Sequence, residues 1–172
     1  MSKTVGIQET IISSFQEQVR KDARLKNAYL LVHSEKSGIN INLAEGKTGE
    51  IEANTQQATH LASVGKLFTA TLVGILYDKG KLTYEDKIQK HLDEDLMRGL
   101  HLYKGKDYSG EITIKHLLTQ TSGLNDVFMP LLKKMVDDPE LKFSVREALE
   151  WGKKHLKPVA KPGRKHFYTD TN

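Results

Sequence analysis

The stretch His60-Leu61-Ala62-Ser63-Val64-Gly65-Lys66-Leu67-Phe68-Thr69-Ala70 decides how the chain is read. From Ser63 the hydrophobic period changes. Leu67, Phe68, Ala70, Thr71, Leu72, Val73, Ile75, Leu76 and Tyr77 cover nearly every face of a helix running to about Lys79. A helix apolar all round is expected to be buried, and Gly80 is its expected stop. Ser63 stands at the helix opening, where unpaired backbone N–H groups and the helix dipole favour developing negative charge. Lys66 follows at i+3, on the same face. Its apolar neighbours are expected to desolvate the ammonium and push its pKa down. A neutral amine beside a hydroxyl can act as a general base and make Ser63 a nucleophile, with the Ser63 N–H as one oxyanion donor. The spacing alone is weakly specific: with 9 Ser and 21 Lys, about one Ser-x-x-Lys arises by chance, and one occurs. The same residues also read as an N-cap serine and a snorkelling lysine.

Working towards the N-terminus, Ile7, Ile11, Ile12, Phe15 and Val19 have helical spacing, predicting an amphipathic helix over roughly 7–24. Ala28-Tyr29-Leu30-Leu31-Val32-His33 predicts a strand, and Ser37-Gly38 a turn. Ile39, Ile41 and Leu43 alternate with Asn40 and Asn42 in a half-buried partner strand, and Glu45–Glu50 predicts a second turn. Towards the C-terminus, Thr83-Tyr84-Glu85-Asp86 is expected to start a short helix, and Gly99, Gly105 and Gly110 punctuate a loop. Ile112, Ile114, Leu117 and Leu118 lead through a helical turn to Thr121-Ser122-Gly123. Ser144-Val145-Arg146-Glu147 has the capping-box form and opens a helix carrying Ala148, Leu149 and Trp151, broken by Lys157-Pro158 and Lys161-Pro162-Gly163.

The His60–Ala70 stretch resembles the active-site segment of the serine β-lactamase and penicillin-binding-protein superfamily. It is most similar to the branch of class C β-lactamases, D-alanyl-D-alanine carboxypeptidases and related esterases. Three further blocks follow in that family's order. Gly80-Lys81-Leu82-Thr83-Tyr84-Glu85-Asp86 resembles its Gly-Lys-Leu turn. Ile112-Thr113-Ile114-Lys115-His116-Leu117-Leu118-Thr119-Gln120-Thr121-Ser122-Gly123-Leu124 is similar to its Thr-Ser-Gly-Leu block. Pro162-Gly163-Arg164-Lys165-His166-Phe167-Tyr168-Thr169-Asp170-Thr171-Asn172 resembles its Tyr-x-Asn block. Four ordered blocks are far more specific than one.

The resemblance implies an α+β fold of β-lactamase/transpeptidase type: an antiparallel sheet flanked by helices, with an inserted all-helical lobe. Residues 1–80 would be the N-terminal part of the sheet domain and 81–172 an incomplete helical lobe. It implies a serine acyl-transfer hydrolase working through an acyl-enzyme on a β-lactam, a D-Ala-D-Ala peptide or an ester, with no metal or organic cofactor. Ser63 would be the acylated nucleophile, Lys66 its activating base, and Tyr168 a partner in proton transfer to the leaving group. The block from His116 to Leu124 is assigned no chemistry. Asp170 stands where the family usually has Asn; as a substrate-binding position it accepts hydrogen bonds but cannot donate as an amide does, which argues against efficient β-lactam hydrolysis. Gly65 replaces a frequent Thr. The family's third motif, Lys-Thr-Gly or His-x-Gly, is expected on a strand after the tyrosine; the chain reaches Asn172 first, so the fold is expected to be truncated there. Lys47-Thr48-Gly49 precedes Ser63 and reads as a surface turn.

Composition narrows the alternatives. In 172 residues, 38% hydrophobic and 28% charged, the chain has the make-up of an ordinary globular protein. Zero cysteines exclude disulfides, a thiolate nucleophile and Cys-ligated metal. A net charge of +4 demands no nucleic acid, and none is expected as a partner. The basic stretch Lys153-Lys154, Lys157, Lys161, Arg164, Lys165 reads first as a solvated connector and second as an anion-binding module. No 18-residue apolar run exists to cross a membrane. The start Met1-Ser2-Lys3-Thr4-Val5-Gly6 lacks an export signal's apolar region. The protein is therefore expected in the cell envelope or secreted if such a signal was removed, and in the cytoplasm otherwise. Small-molecule or peptidoglycan-peptide substrates are the expected partners. The rival reading is a non-catalytic fragment or homologue serving as a binding or assembly element, self-associating or pairing with a complementing chain through an unpaired sheet edge.

Overall fold

Secondary structure follows the hydrophobic periods closely at the N-terminus. The computed structural model describes residues 3–172; Met1 and Ser2, the start of the stretch read for an export signal, lie outside the described residues. Helix α1 spans Lys3–Lys21, earlier than 7–24, and closes on Arg20 and Lys21, which suit the negative end of its dipole. Strand β1 spans Asn27–Ser34 and β2 Ile39–Thr48, antiparallel, with Leu30 opposite Leu43 and Val32 opposite Ile41. A short 3-10 turn, Glu35–Ser37, joins them; Ser34 caps it, and Gly38 leaves it in the left-handed region. Ile39 and Ile41 are buried while Asn40 and Asn42 are exposed, as the alternation requires. β2 runs further than expected, through the anticipated turn at Glu45, because Gly46 lies against the Lys26 carbonyl, where a Cβ would sit 2.1 Å from the oxygen. The turn comes at Gly49-Glu50, and β3, Ile51–Glu52, completes a three-stranded antiparallel sheet. Lys47 and Thr48 end β2 and Gly49 turns the chain, the surface-turn reading of that tripeptide. α1 packs on β2, and Gln16 Nε2 donates to Glu45 Oε1 at 2.7 Å.

The chain divides into two compact units, Met1–Ala62 and Ser63–Asn172. This division and the lobes expected at 1–80 and 81–172 differ by residues 63–80, which contain α2, Gly65–Asp78, and group with the residues after them. The Tyr77 and Tyr84 rings stack 4.4 Å apart, and Lys81 N donates to the Leu76 carbonyl at 2.9 Å, tying the helix end to the following chain.

The expectation that α2 is buried is corrected. Leu67, Phe68 and Leu72 are more than 60% exposed, because the packing of its own unit reaches only part of its surface.

The second unit is built on a small core of Ile88, Met97, Leu100, Ile112 and Leu124, with Ile114 and Leu117 packed against it. The helix expected from Thr83 is absent. Thr83 N donates to the Asp86 carboxylate at 3.1 Å, Ile114 N to the Asp86 carbonyl at 3.0 Å, and Lys115 N to the Tyr84 carbonyl at 2.8 Å. The Tyr84 and Asp86 carbonyls are thereby taken by the 112–115 segment, and Thr83 N by the Asp86 side chain, in place of helical turns. A 3-10 turn, Ile88–Lys90, and α3, Glu94–Met97, follow. The glycine-punctuated loop is a hairpin, β4 Leu102–Tyr103 and β5 Lys106–Asp107, turning on Lys104-Gly105, both at positive φ as a tight hairpin demands. α4, Ile114–Leu118, is capped by Thr113 and His116 reciprocally. α5, Phe128–Asp137, was not anticipated; Pro130 sits in its first turn, where no N–H partner is needed. α6, Val145–His155, opens on the Ser144/Glu147 capping box as predicted. Arg146 of α6 pairs with Asp93, at the N-terminal cap of α3, and with Asp95 in its first turn. Lys153 Nζ donates to the carbonyls of Asp95 and Leu96. That basic residue is thereby a structural cap, one cation fewer for the anion-binding reading. Among the described residues no helix is long and apolar enough to cross a membrane.

Candidate active site

Ser63 lies in a 3-10 turn, Ala62–Val64, that runs directly into α2. It is not the helix cap: Val64 holds that place, with no side-chain hydrogen bond. The Ser63 hydroxyl instead meets Tyr168, 105 residues away in sequence, with Oη donating to Oγ at 2.6 Å. Lys66, in the first turn of α2, forms an ion pair with the Asp170 carboxylate. Its Nζ lies 5.1 Å from the Tyr168 ring centroid. All four residues singled out in the sequence thus converge within the second unit, Ser63 and Lys66 from one end and Tyr168 and Asp170 from the other. The N-cap and snorkelling readings both fail on these contacts.

The electrostatics differ from expectation in one respect. Lys66 was expected to lose basicity by desolvation; its pKa is raised instead, chiefly by the hydrogen bond to Asp170, which outweighs partial burial, with Tyr168 adding to the rise. The Tyr168 phenol is pulled below its ordinary value, first by the hydrogen bond with Ser63 and then by Lys66. When the phenol loses its proton, Ser63 becomes the donor in the same 2.6 Å contact, and the nearby ammonium stabilises the negative oxygen. The pair is therefore set for proton exchange between two oxygens.

The segment carrying Tyr168 has no helix or strand to hold it, and two residues that sequence reasoning passed over supply the anchorage. Gln120 accepts Phe167 N on its carbonyl at 2.9 Å. Its side-chain oxygen accepts Thr169 N at 2.9 Å and Asn172 Nδ2 at 2.6 Å. Asp126 accepts the Thr169 hydroxyl at 3.1 Å and Asp170 N at 2.9 Å. Thr171 Oγ1 donates to the Asn125 carbonyl and accepts Val127 N. Thr169, between Tyr168 and Asp170, is buried, so its neighbours point outward, to Ser63 and Lys66. The Thr-Ser-Gly-Leu block, assigned no chemistry, is thus the seat of the tyrosine. A signal for Asp126 was present: Asn125-Asp126 precedes the helical run Phe128, Leu131, Leu132, Met135, the pattern of a helix start.

Behind the same block, Gly123 is at φ +78, and a Cβ there would lie 2.1 Å from the Ala160 carbonyl and 3.0 Å from His101 Nε2. His101 is fully buried, edge-on to Tyr103 and Tyr108, and neither ring nitrogen has a hydrogen-bond partner among the described residues. Burial pushes its pKa down; its own backbone and then those of Ala160 and Ser122 oppose this only in part.

Comparison with known proteins bears on family and fold. The family model described as Beta-lactamase matches residues 21–172. Penicillin-binding protein 4* of Bacillus subtilis (strain 168) is 42% identical over 72 residues, which are 42% of this chain and 13% of that protein. Among solved structures, a D-stereospecific amidohydrolase from Streptomyces sp. superposes with a TM-score of 0.69 at 20% identity, covering 90% of this chain and 43% of the other. The D-amino acid amidase from Ochrobactrum anthropi SV3, in complex with L-phenylalanine amide, gives 0.66 at 16% identity, covering 99% and 44%. The chain therefore spans less than half of each of these proteins, and the structural likeness establishes the α+β fold. With the family model covering most of its length and the ordered motifs meeting in space, the chain belongs to the beta-lactamase family.

Proposed function

We propose that this chain carries the nucleophilic half of a serine acyl-transfer hydrolase. The observation that supports the reading best is the 2.6 Å contact between Tyr168 Oη and Ser63 Oγ, with a lysine ammonium beside the phenol. Ser63 Oγ attacks the carbonyl carbon of the substrate, forming the Oγ–C bond as its proton leaves for a neighbouring base. The negative tetrahedral oxygen is met by the backbone N–H at the start of α2. Collapse breaks the bond to the leaving group, which departs with a proton returned through Tyr168, and water then hydrolyses the Ser63 ester.

The acyl donors we propose are a β-lactam, a D-Ala-D-Ala peptide or an ester. The fold neighbours described as D-stereospecific amidohydrolase and D-amino acid amidase add D-amino-acid amides to that class. These share an acyl carbon bonded to a leaving nitrogen or oxygen, which is all that the Ser63 chemistry requires. Incubation with a fluorophosphonate or a fluorescent penicillin is expected to label the protein covalently on Ser63. Labelling of a Ser63→Ala variant at the wild-type level would overturn the proposal.

A further inference from the structure

The basic stretch from Lys153 to Lys165 takes no part in the Ser63 chemistry. Its first half, at and beyond the end of α6, faces the β4–β5 hairpin across a cleft of about 520 Å³, bounded by the 99–105 and 153–158 segments. We propose that this cleft binds a small amphiphilic carboxylate, an apolar body of about eight to ten carbons with one anionic head. The inference is independent of the acyl-transfer reading, because none of Ser63, Lys66, Tyr168 and Asp170 borders the cleft.

The floor is apolar. Leu100 is buried in it, and Leu102, Tyr103, Leu156 and Pro158 extend it; Leu102 is 55% exposed, a large side chain left open to solvent. The rim is cationic. Lys104 at the hairpin turn and Lys154 and Lys157 on the facing wall are exposed, and among the described residues none of the three is in an ion pair. No acidic residue borders the cleft among the described residues. The carboxylates of the surrounding segments are engaged elsewhere: Asp95 with Arg146, Glu150 with Lys153, and Asp107 with the backbone N–H groups of Ser109 and Gly99.

Both walls are held in place. The hairpin turns on Lys104-Gly105, and Lys153 Nζ ties α6 to the Asp95 and Leu96 carbonyls. Beyond α6, Asn125 Nδ2 donates to the Lys157 carbonyl at 3.2 Å and Val159 N to the Gly123 carbonyl at 2.8 Å.

These walls do not suit a bare anion. α6 ends at His155 on the cleft wall, where its last carbonyls carry the negative pole of the helix dipole. A charge lodged there is repelled, whereas one at the lysine rim gains charge-assisted hydrogen bonds. An apolar body laid over Leu102 and Leu156 takes both from water, which a phosphate or a nucleic-acid backbone leaves undone.

Titration of 15N-labelled protein with sodium octanoate tests the assignment, with octanol as the body alone and sodium acetate as the head alone. Octanoate is expected to shift the amides of the 99–105 and 153–157 segments saturably, and each part alone to bind about fivefold more weakly or less. Trp151, the only tryptophan, packs on His155 with ring centroids 4.8 Å apart, so its fluorescence follows the same titration. Lys154→Gln with Lys157→Gln should weaken octanoate about fivefold and leave octanol unchanged. The same change at Lys133 and Lys142, which do not border the cleft, should alter neither. Leu102→Asn should weaken octanoate and octanol alike, by about fivefold. All of these side chains are exposed, and unmoved amides elsewhere report that each variant is folded. Octanoate shifts confined to other segments, or affinity indifferent to both the lysine pair and Leu102, overturn the site. Octanol or acetate binding as tightly as octanoate overturns the amphiphile.

Discussion

Asp126 offers the sharpest test of how the fold positions the chemistry, because it touches neither Ser63 nor Lys66 and yet holds the segment between Tyr168 and Asp170. Its carboxylate makes two short hydrogen bonds to that segment, from the Thr169 hydroxyl at 3.1 Å and from Asp170 N at 2.9 Å. It also makes two longer ones, at 3.4 Å, to the backbone at the start of α5. Bonds to a charged acceptor contribute about 1.5–3 kcal/mol each, and contacts beyond 3.2 Å count for little. The Thr169 hydroxyl keeps a second bond, accepting Thr171 N at 3.0 Å, and Asp170 N is near enough to solvent for water to replace the lost acceptor. Discounting for both, Asp126→Ala should cost about 2–3 kcal/mol of unfolding free energy. Asp126→Asn, which keeps an acceptor, should recover roughly half of that. Because the tyrosine loop loses its seat, Ser63 acylation should fall by about 100-fold or more, as a misplacement near 1 Å is enough to cause. Urea denaturation of the three proteins, paired with fluorophosphonate labelling rates, measures both effects. An Ala variant within about 0.5 kcal/mol of wild type, the scatter of an ordinary surface change, and labelled at the wild-type rate would refute the claim that Asp126 seats the loop.

Two further outcomes follow from the packing behind the site. Gly123→Ala would place a Cβ 2.1 Å from the Ala160 carbonyl in a left-handed backbone, so a loss of about 3 kcal/mol or more is expected, read as a lowered urea midpoint. For His101 the sign runs from its lowered pKa: between the unfolded value near 6.5 and the folded value, the unfolded chain holds the extra proton. The His101 contribution is therefore fully present above about pH 6.5 and falls with decreasing pH by up to about 1.4 kcal/mol per unit, in the same direction as that of His116, whose pKa burial also lowers. His101→Phe should flatten that part of the stability profile, and an equal slope in both proteins would contradict it.

What was legible in the sequence has a common physical origin. The α1–β1–β2 order and the α6 cap rest on local periodicity and on residues three or four apart, and both were read correctly within a few residues. The Ser63–Lys66 relation is also local, one helical turn. Tyr168 and Asp170 lie more than 100 residues away, and only their resemblance to an ordered family pattern placed them beside it. The errors come from tertiary competition. Thr83–Asp86 had a helix-like start, but the backbone partners it needed were claimed by residues 112–115. The apolar sequence neighbours of Lys66 favour a lowered pKa, while a carboxylate from the other end of the chain raises it. A local reading cannot weigh a partner it has not located.

The backbone shows where the fold accepts cost to fix the tyrosine. Among the described residues, three non-glycine positions take positive φ: Ala62, Lys104 and Gln120. Lys104 is explained by its hairpin. The other two bracket the Ser63–Tyr168 contact, Ala62 immediately before Ser63 and Gln120 beneath the Tyr168 segment. A left-handed residue with a Cβ costs about 1–2 kcal/mol and persists only where its surroundings over-determine it. For Gln120 the determinants are visible: its carbonyl holds Phe167 N, and its side-chain oxygen holds Thr169 N and Asn172 Nδ2. Glycine at 120 would relax the backbone and forfeit both side-chain bonds, each contributing about 1 kcal/mol. Those bonds roughly offset the strain in energy, and what remains is geometric. Glutamine fixes the residues on either side of Tyr168 and so holds the phenol against Ser63, the preorganisation that the proposed acylation requires.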